Sequence, residues 1–407
     1  MASSTTKKRH PVGPNWELCH KIAQGSFGKV YYGVHSVTKS PVAVKTEPLD
    51  VRHPQLVGEA DIYMALRQVS GVPKLLWHGH VDKKFDALVL QLLGPDLDQL
   101  LTYCDKFSLR TVLLIADQLL DRLESLHKLG YVYRDIKPQN FAIGYGPDGL
   151  STVHILDFGL AKRLPNKNDV KKKKKSSGLV GTARYASIGA HRGDSTSCAN
   201  DLESLAYMMM YWLRGSLPWS GLKAKSSVEK YEKIMQKKLQ VPLKELCKNH
   251  PSQMIDFIKY CRGYKNDGGA LDYEYLHGLI AAMASKAKNQ TTTTDGTKVG
   301  NDTFDWYIPM NGKCWPDTSL PDMGSGDKGG TKSTHPLKAT NAESKTPSVD
   351  SKKSTLTNML SRSNSTRSRK SAKSSKYAVE GKGDEDEASR ATDGMRRKGR
   401  TKICVLL

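Results

Sequence analysis

The sequence predicts an α+β fold of two lobes, a small β-rich one followed by a larger helical one, with a disordered basic tail behind them. Three changes of pattern carry this reading. From about Trp16 to Leu93, apolar and polar residues alternate in short runs such as KVYYGVHS, PVAVKTE and FDALVLQLL, the period of strands with one buried face. From Gly94 the apolar positions of TVLLIADQLLDRLESLHKLG, DLESLAYMMMYWL and PSQMIDFIKYCRGY fall three or four apart, as in amphipathic helices. After about Pro321 the chain is rich in Ser, Thr, Gly and Lys, and such a segment buries too little apolar surface to offset the entropy of ordering it.

The expected boundaries are a disordered amino terminus at 1–14, a first lobe at 15–93, a second at 94–312 and a disordered tail at 313–407. In the first lobe the sheet is mostly antiparallel and one helix is expected near 58–69. The net charge is +22, and residues 324–407, with 19 Lys and Arg against 9 acids, carry +10 of it. Such a charge favours anionic partners: nucleic acid, acidic or phosphorylated protein, or an anionic membrane surface. The basic stretches lack interleaved aromatics, the tail offering only Tyr377, which argues against a nucleic-acid binder built on stacking. The seven cysteines include no C-x-x-C pair, which speaks against a disulfide framework or a zinc site and for a reducing compartment. The opening MASSTTKKRHPVG has neither an apolar signal core nor Gly at position 2, and no apolar run approaches transmembrane length.

Four short motifs carry the chemistry. In AQGSFGKV, at 23–30, small residues between two strands let backbone N–H groups close over phosphate oxygens. In VAVK, Lys45 ends an apolar strand, and Glu59 on the following helix can reach back to pair with it. In YRDIKPQN, Asp135, Lys137 and Asn140 crowd into a loop behind a helix, and Pro138 prevents that helix from running on. In ILDFGLAK, Asp157 follows apolar residues that read as a buried strand, so its carboxylate needs a partner such as a metal ion.

In this order and lobe placement the motifs resemble the protein-kinase signature set, which implies a bilobal kinase fold. The roles then implied are electrostatic and positional. Lys45, oriented by Glu59, holds the α- and β-phosphates of ATP. Asp157 and Asn140 hold Mg²⁺, Asp135 accepts the proton of the incoming hydroxyl, and Lys137 reaches the γ-phosphate. The loop residues Ala23, Gly25, Ser26 and Gly28 cover the phosphates. Adenine lies between Val30 and Ala43 on one side and Ala142 on the other, bonded to backbone near Gln91, Leu92 and Leu93.

At GTARYASIGAH (181–191), NDLESLAYMMMYWLRGSLPWSGLKA (200–224) and LLGPDLDQL (92–100) the chain closely resembles the casein kinase 1 family of Ser/Thr kinases. That resemblance spans roughly 15–310. It implies acceptor hydroxyls with an acidic or phosphorylated residue three positions upstream, met by Arg184 and Lys230 with a backbone contact at Gly221. A guanidinium fork suits a phosphate. Departures from the pattern are Ala23 for the first loop glycine, Tyr133 for the usual His, Ala142 for a larger aliphatic and Gly189 for Asn. None removes a charged catalytic group, so a kinase-like scaffold without catalysis is the second reading. A lysine run at 171–175 falls in the activation segment, where it either enlarges the anion site, forms a solvated insert or marks a nuclear fraction.

The tail carries hydroxyl ladders at three-residue spacing, Ser348 to Thr357 and Ser365 to Ser374, suited to a product that primes the next rung and to self-restraint by a phosphorylated tail. It closes on Cys404-Val405-Leu406-Leu407, the C-a-a-X form whose final Leu selects a geranylgeranyl chain. One lipid holds weakly, and Arg396, Arg397, Lys398, Arg400 and Lys402 supply the second signal at about 1 kcal/mol each near an anionic leaflet. The expectation is a cytoplasmic kinase held peripherally at the membrane.

Overall fold

The computed structural model describes residues 10–24, 28–164, 178–194, 196–265, 269–287 and 303–307. In the first lobe β1 (His10–Val12), β2 (Trp16–Gln24), β3 (Lys29–His35), β4 (Pro41–Pro48), β5 (Leu75–Val81) and β6 (Phe85–Gln91) form one antiparallel sheet in the order β1-β2-β3-β4-β6-β5. Strand β1 lies inside the stretch expected to be disordered. It pairs with β2 across a tight turn in which Gly13 takes φ +56°, and Val12 is fully buried, so its apolar side chain and closed ladder hold it.

Alternation gives this sheet two faces. Val42 and Val44 point into a cluster with Val12, Val81, Ala87 and Val89. Ala43 and Lys45 therefore look the other way, Ala43 into a cluster with Val30 and Leu92. Lys45 does not end its strand: Thr46, Glu47 and Pro48 continue to pair with Ala87, Asp86 and Phe85. The one helix of this lobe, α1 (Leu56–Ala65), starts and stops earlier than the expected 58–69. Its start is set by Glu47, whose carboxylate accepts the Gln55 N–H (3.0 Å) and the Leu56 N–H (3.2 Å), orphan donors that a helix end leaves to be satisfied.

The chain then passes through β7 (Leu93–Asp96), α2 (Leu97–Cys104) and α3 (Leu109–Lys128) to β8 (Tyr131–Val132), β9 (Phe141–Gly144), β10 (Val153–Ile155) and β11 (Lys162–Arg163). Strands β10, β9 and β7 form one small sheet, and β11 pairs with β8. Helices α4 (Ile188–Arg192), α5 (Cys198–Arg214), α6 (Ser227–Gln240), α7 (Leu243–Leu246), α8 (Gln253–Gly263) and α9 (Tyr273–Ala287) complete the lobe. Helix α5 is apolar nearly all round and buried between its neighbours, the expectation for a core helix. Of its two acids, both buried, Glu203 is paired with Arg262 at 3.0 Å. No helix among the described residues is long and apolar enough to cross a membrane.

The segment 303–307 is pinned to α3. Asp305 accepts from the Ser108 N–H (2.6 Å) and hydroxyl (2.8 Å), and its own N–H donates to Thr111 Oγ1 at 2.9 Å. Beside it Trp306 is fully buried, stacked on Phe304 and edge-on to Phe107. Trp306→Ala should cost about 3–5 kcal/mol, the loss for emptying a large core aromatic, measured by urea unfolding of the full chain.

Candidate functional site: a cleft between the lobes

The Lys45 ammonium lies 2.7 Å from Glu59 Oε2 and 2.8 Å from Asp157 Oδ1. One cation thus ties the sheet, α1 and the turn after β10. Glu59 is almost fully buried while the Asp157 side chain is about one-third exposed, at 35%. The other Glu59 oxygen accepts the Phe158 N–H at 3.2 Å. Burial alone would lower Lys45, but the Asp157 and Glu59 carboxylates outweigh it and raise its pKa. Burial likewise opposes ionisation of Asp157, yet the Lys45 charge overrides it and draws that pKa down. Glu59 goes the other way: desolvation outweighs its share of one ammonium and pushes it up to about 7.

A second group forms on the loop after β8. Asp135 is buried. Its Oδ2 accepts from Lys137 Nζ (2.6 Å) and Asn140 Nδ2 (3.0 Å), and its Oδ1 from the Thr182 hydroxyl (3.0 Å). Asn140 sits in the 3-10 turn Pro138–Asn140, and its amide also donates to the Asp135 carbonyl at 2.9 Å. The loop backbone is held from below by Asp201 on α5, which accepts the Tyr133 N–H (2.7 Å), the Arg134 N–H (2.8 Å) and a bond from His127 Nε2 (2.9 Å). Arg134 takes φ +69°, a conformation that tertiary bonds must maintain. At Gly181, φ +87°, any Cβ would stand 2.2 Å from the Arg134 carbonyl oxygen, so only glycine lets the activation segment approach this loop.

Val30, Ala43 and Leu92 share an apolar cluster against which Ala23 packs, and Ala142, Leu93 and Leu156 form another. The residues expected on the two sides of adenine thus fall in two separate clusters, and Leu92 lies at the link between β6 and β7. Gly28 has a close-packing reason of its own: a Cβ there would lie 2.1 Å from the Thr46 carbonyl oxygen. Gly25, Ser26, residues 171–175, the tail ladders and Cys404 lie outside the described residues.

Arg184 is exposed, its guanidinium 5.1 Å from the Tyr211 ring and 5.8 Å from that of Tyr185. Among the described residues it makes no ion pair. Trp219 Nε1 donates to its carbonyl at 2.7 Å, which brings the stretch before Gly221 to Arg184; Gly221 has φ +73° and open space at its Cβ. Lys230 is exposed on α6, and no bond joins it to Arg184. At Gly189 an added Cβ would meet the Asn200 side chain at 2.7 Å, so a larger residue there displaces Asn200.

Sequence reasoning missed Lys238, the fully buried lysine of α6. Its ammonium donates to the Ala183 carbonyl (2.9 Å) and that of Ala186, and sits over the Tyr207 and Trp219 rings. It therefore holds the backbone on both sides of Arg184. Burial pulls its pKa down to about 7. The available signal was helical spacing, since Ile234 and Lys238 are four apart and both buried. Asp201, Thr182 and Glu47 were missed too, each being an ordinary polar residue until the fold brings its partner.

The protein kinase domain model matches residues 16–267. This chain belongs to the protein kinase family, and as such is a transferase that uses ATP, with a divalent metal, on protein substrates. The donors here fit such a metal. Asp157 and Asn140 would offer it hard oxygen donors, and the Leu156 N–H bonded to the Asn140 carbonyl at 2.9 Å holds the two stretches side by side.

The Glu59 shift has a sign that can be checked. Its folded value, about 7, lies above the ordinary 4.5, so its contribution to stability is fully present below pH about 4.5 and is lost as pH rises through about 7. Pairing with Lys45 strengthens over the same window. Melting temperatures from pH 5 to 8 should fall for wild type relative to Glu59→Gln as pH rises, with the difference levelling off above about pH 8.

Proposed function

We propose that the protein is a Ser/Thr kinase of casein kinase 1 type that acts on acidic or phospho-primed proteins and is tethered to a membrane by a lipidated tail. The observation that carries the substrate preference is Arg184: an exposed guanidinium over the Tyr211 and Tyr185 rings that makes no ion pair among the described residues, two residues beyond the Thr182 that bonds Asp135. A phosphate or carboxylate upstream of the acceptor hydroxyl would find a bidentate donor there, and Lys238 keeps that segment in place. Lys230 and Gly221 are assigned to the same anion site by resemblance.

In this reading Asp135 orients the acceptor hydroxyl and takes its proton as oxygen attacks the γ-phosphorus and the bond to the β-phosphate bridge breaks, releasing ADP. Lys137, paired with Asp135, offsets charge on the transferred group, and Lys45 with Glu59 holds the α- and β-phosphates. Mg²⁺ is the proposed metal, held by Asp157 and Asn140, and when bound it supplies neutralisation of the phosphate oxygens.

The test compares two peptides, one carrying phosphoserine three positions before the acceptor and one unprimed. Wild type should prefer the primed peptide. Asp135→Asn should lower kcat on both by at least about a hundredfold, as expected for loss of a general base. Arg184→Ala should lower kcat/KM on the primed peptide by roughly tenfold or more, the weight of one charged hydrogen-bonding site, with little change on the unprimed one. Equal losses on both peptides would refute the anion-site role, and nucleotide binding without turnover in the wild type would favour the scaffold reading.

The tail assignment rests on the sequence pattern, a C-a-a-X cysteine beside five basic residues. After cell fractionation Cys404→Ser should move from the membrane pellet to the soluble fraction with its peptide activity intact. Identical distribution of the two proteins would overturn the tether.

A further inference from the structure

We propose that Tyr133 and Tyr63 are positioning residues that clamp the Leu156–Asp157 peptide bond from its two ends, and that this clamp sets how tightly the cleft holds its divalent cation. The inference rests on the reading of Asp157 as a metal ligand. The Tyr133 hydroxyl donates to the Leu156 carbonyl, and the N–H of Asp157 donates to the Tyr63 hydroxyl at 3.3 Å. Both polar atoms of a single peptide therefore end on phenols, one from α1 and one from the loop after β8.

That peptide is where orientation is decided. Asp157 has φ +58°, a left-handed conformation that a non-glycine residue keeps only when its surroundings hold it there. The bonds to its Oδ1, from Lys45 and from the Gly159 N–H at 3.2 Å, fix one oxygen, while the peptide plane fixes the direction of the side chain. The preceding peptide ties the backbone of the two donor residues together, because the Leu156 N–H donates to the Asn140 backbone carbonyl at 2.9 Å.

The two rings form a column with Phe158 between them, at 4.8 Å from Tyr63 and 5.9 Å from Tyr133, both edge-on. Phenylalanine would fill either place. A fully buried hydroxyl is costly unless bonded, and here each one meets the same peptide. Burial, with Glu59 and Asp157 near Tyr63 and with Asp157 and Asp135 near Tyr133, keeps both phenols well above their ordinary pKa, so they remain neutral at working pH.

The test uses the full chain with Tyr133→Phe, Tyr63→Phe and the double variant, which retain the aromatic column. Mn²⁺ is titrated into each protein with saturating ADP, and free Mn²⁺ is followed by electron paramagnetic resonance. ADP affinity in EDTA, melting temperature and the Mg²⁺ dependence of peptide phosphorylation are measured alongside. Each single variant should weaken Mn²⁺ binding roughly three- to tenfold, the weight of one buried hydrogen bond, and raise the Mg²⁺ needed for half-maximal rate by a similar factor. Metal-free ADP affinity should not change. Unaltered Mn²⁺ affinity overturns the clamp, whether or not the melting temperature falls. If Tyr133→Phe fails to fold, Tyr63→Phe carries the same test from the other end of the peptide. Asp157→Asn separates the two levels: if it binds Mn²⁺ like wild type, the metal-ligand reading fails and the clamp with it. If it loses Mn²⁺ while the tyrosine variants do not, the clamp alone is wrong.

Discussion

The cleft depends on one ammonium serving two carboxylates. Lys45 comes from the sheet, Glu59 from α1 and Asp157 from the turn after β10, and their meeting within 2.8 Å fixes three elements of separate origin. Two acids against one base leave an excess negative charge, and its distribution follows solvation. The deeply buried Glu59 is pushed toward the neutral form, and the partly exposed Asp157 stays ionised. A cleft with that residual charge suits a divalent cation that arrives with an anionic nucleotide.

Around this centre the helical lobe acts as a frame for backbone that would not hold its shape alone. Asp201, on the apolar helix α5, fixes two consecutive N–H groups at the Tyr133–Arg134 turn. Lys238 on α6 fixes two carbonyls of the activation segment. Both are ionisable groups taken out of water, a costly arrangement unless their bonds are satisfied. Their use at these places ties stability of the lobe to the shape of the loops that carry Asp135 and Arg184.

The same logic explains an acid inside the most apolar helix. Glu203 meets Arg262 and the Tyr207 hydroxyl and accepts the Ile188 N–H at 3.3 Å. Its partners come from α8, its own helix and the start of α4, so the carboxylate joins the activation segment to the core. Read in the linear sequence it interrupts a hydrophobic run; in the fold it is the point to which three elements are fastened.

The sequence by itself determined the two-lobed class, because alternation of period two and periodicity near 3.6 are properties of local backbone geometry and survive in the linear text. It also pointed to the polar residues proposed to carry the chemistry, since Lys45, Asp135, Asn140 and Asp157 sit in short motifs whose spacing is itself the signal. Only the tertiary structure decided what holds them. Strand β1 exists because β2 is beside it, β4 extends past Lys45 because β6 pairs with it, and α1 begins where Glu47 reaches it. Asp201, Thr182, Lys238 and the paired hydroxyls of Tyr63 and Tyr133 have partners tens of residues away. A hydrogen bond depends on distance in space and leaves no period along the chain, so such contacts become legible only when folding brings both partners together.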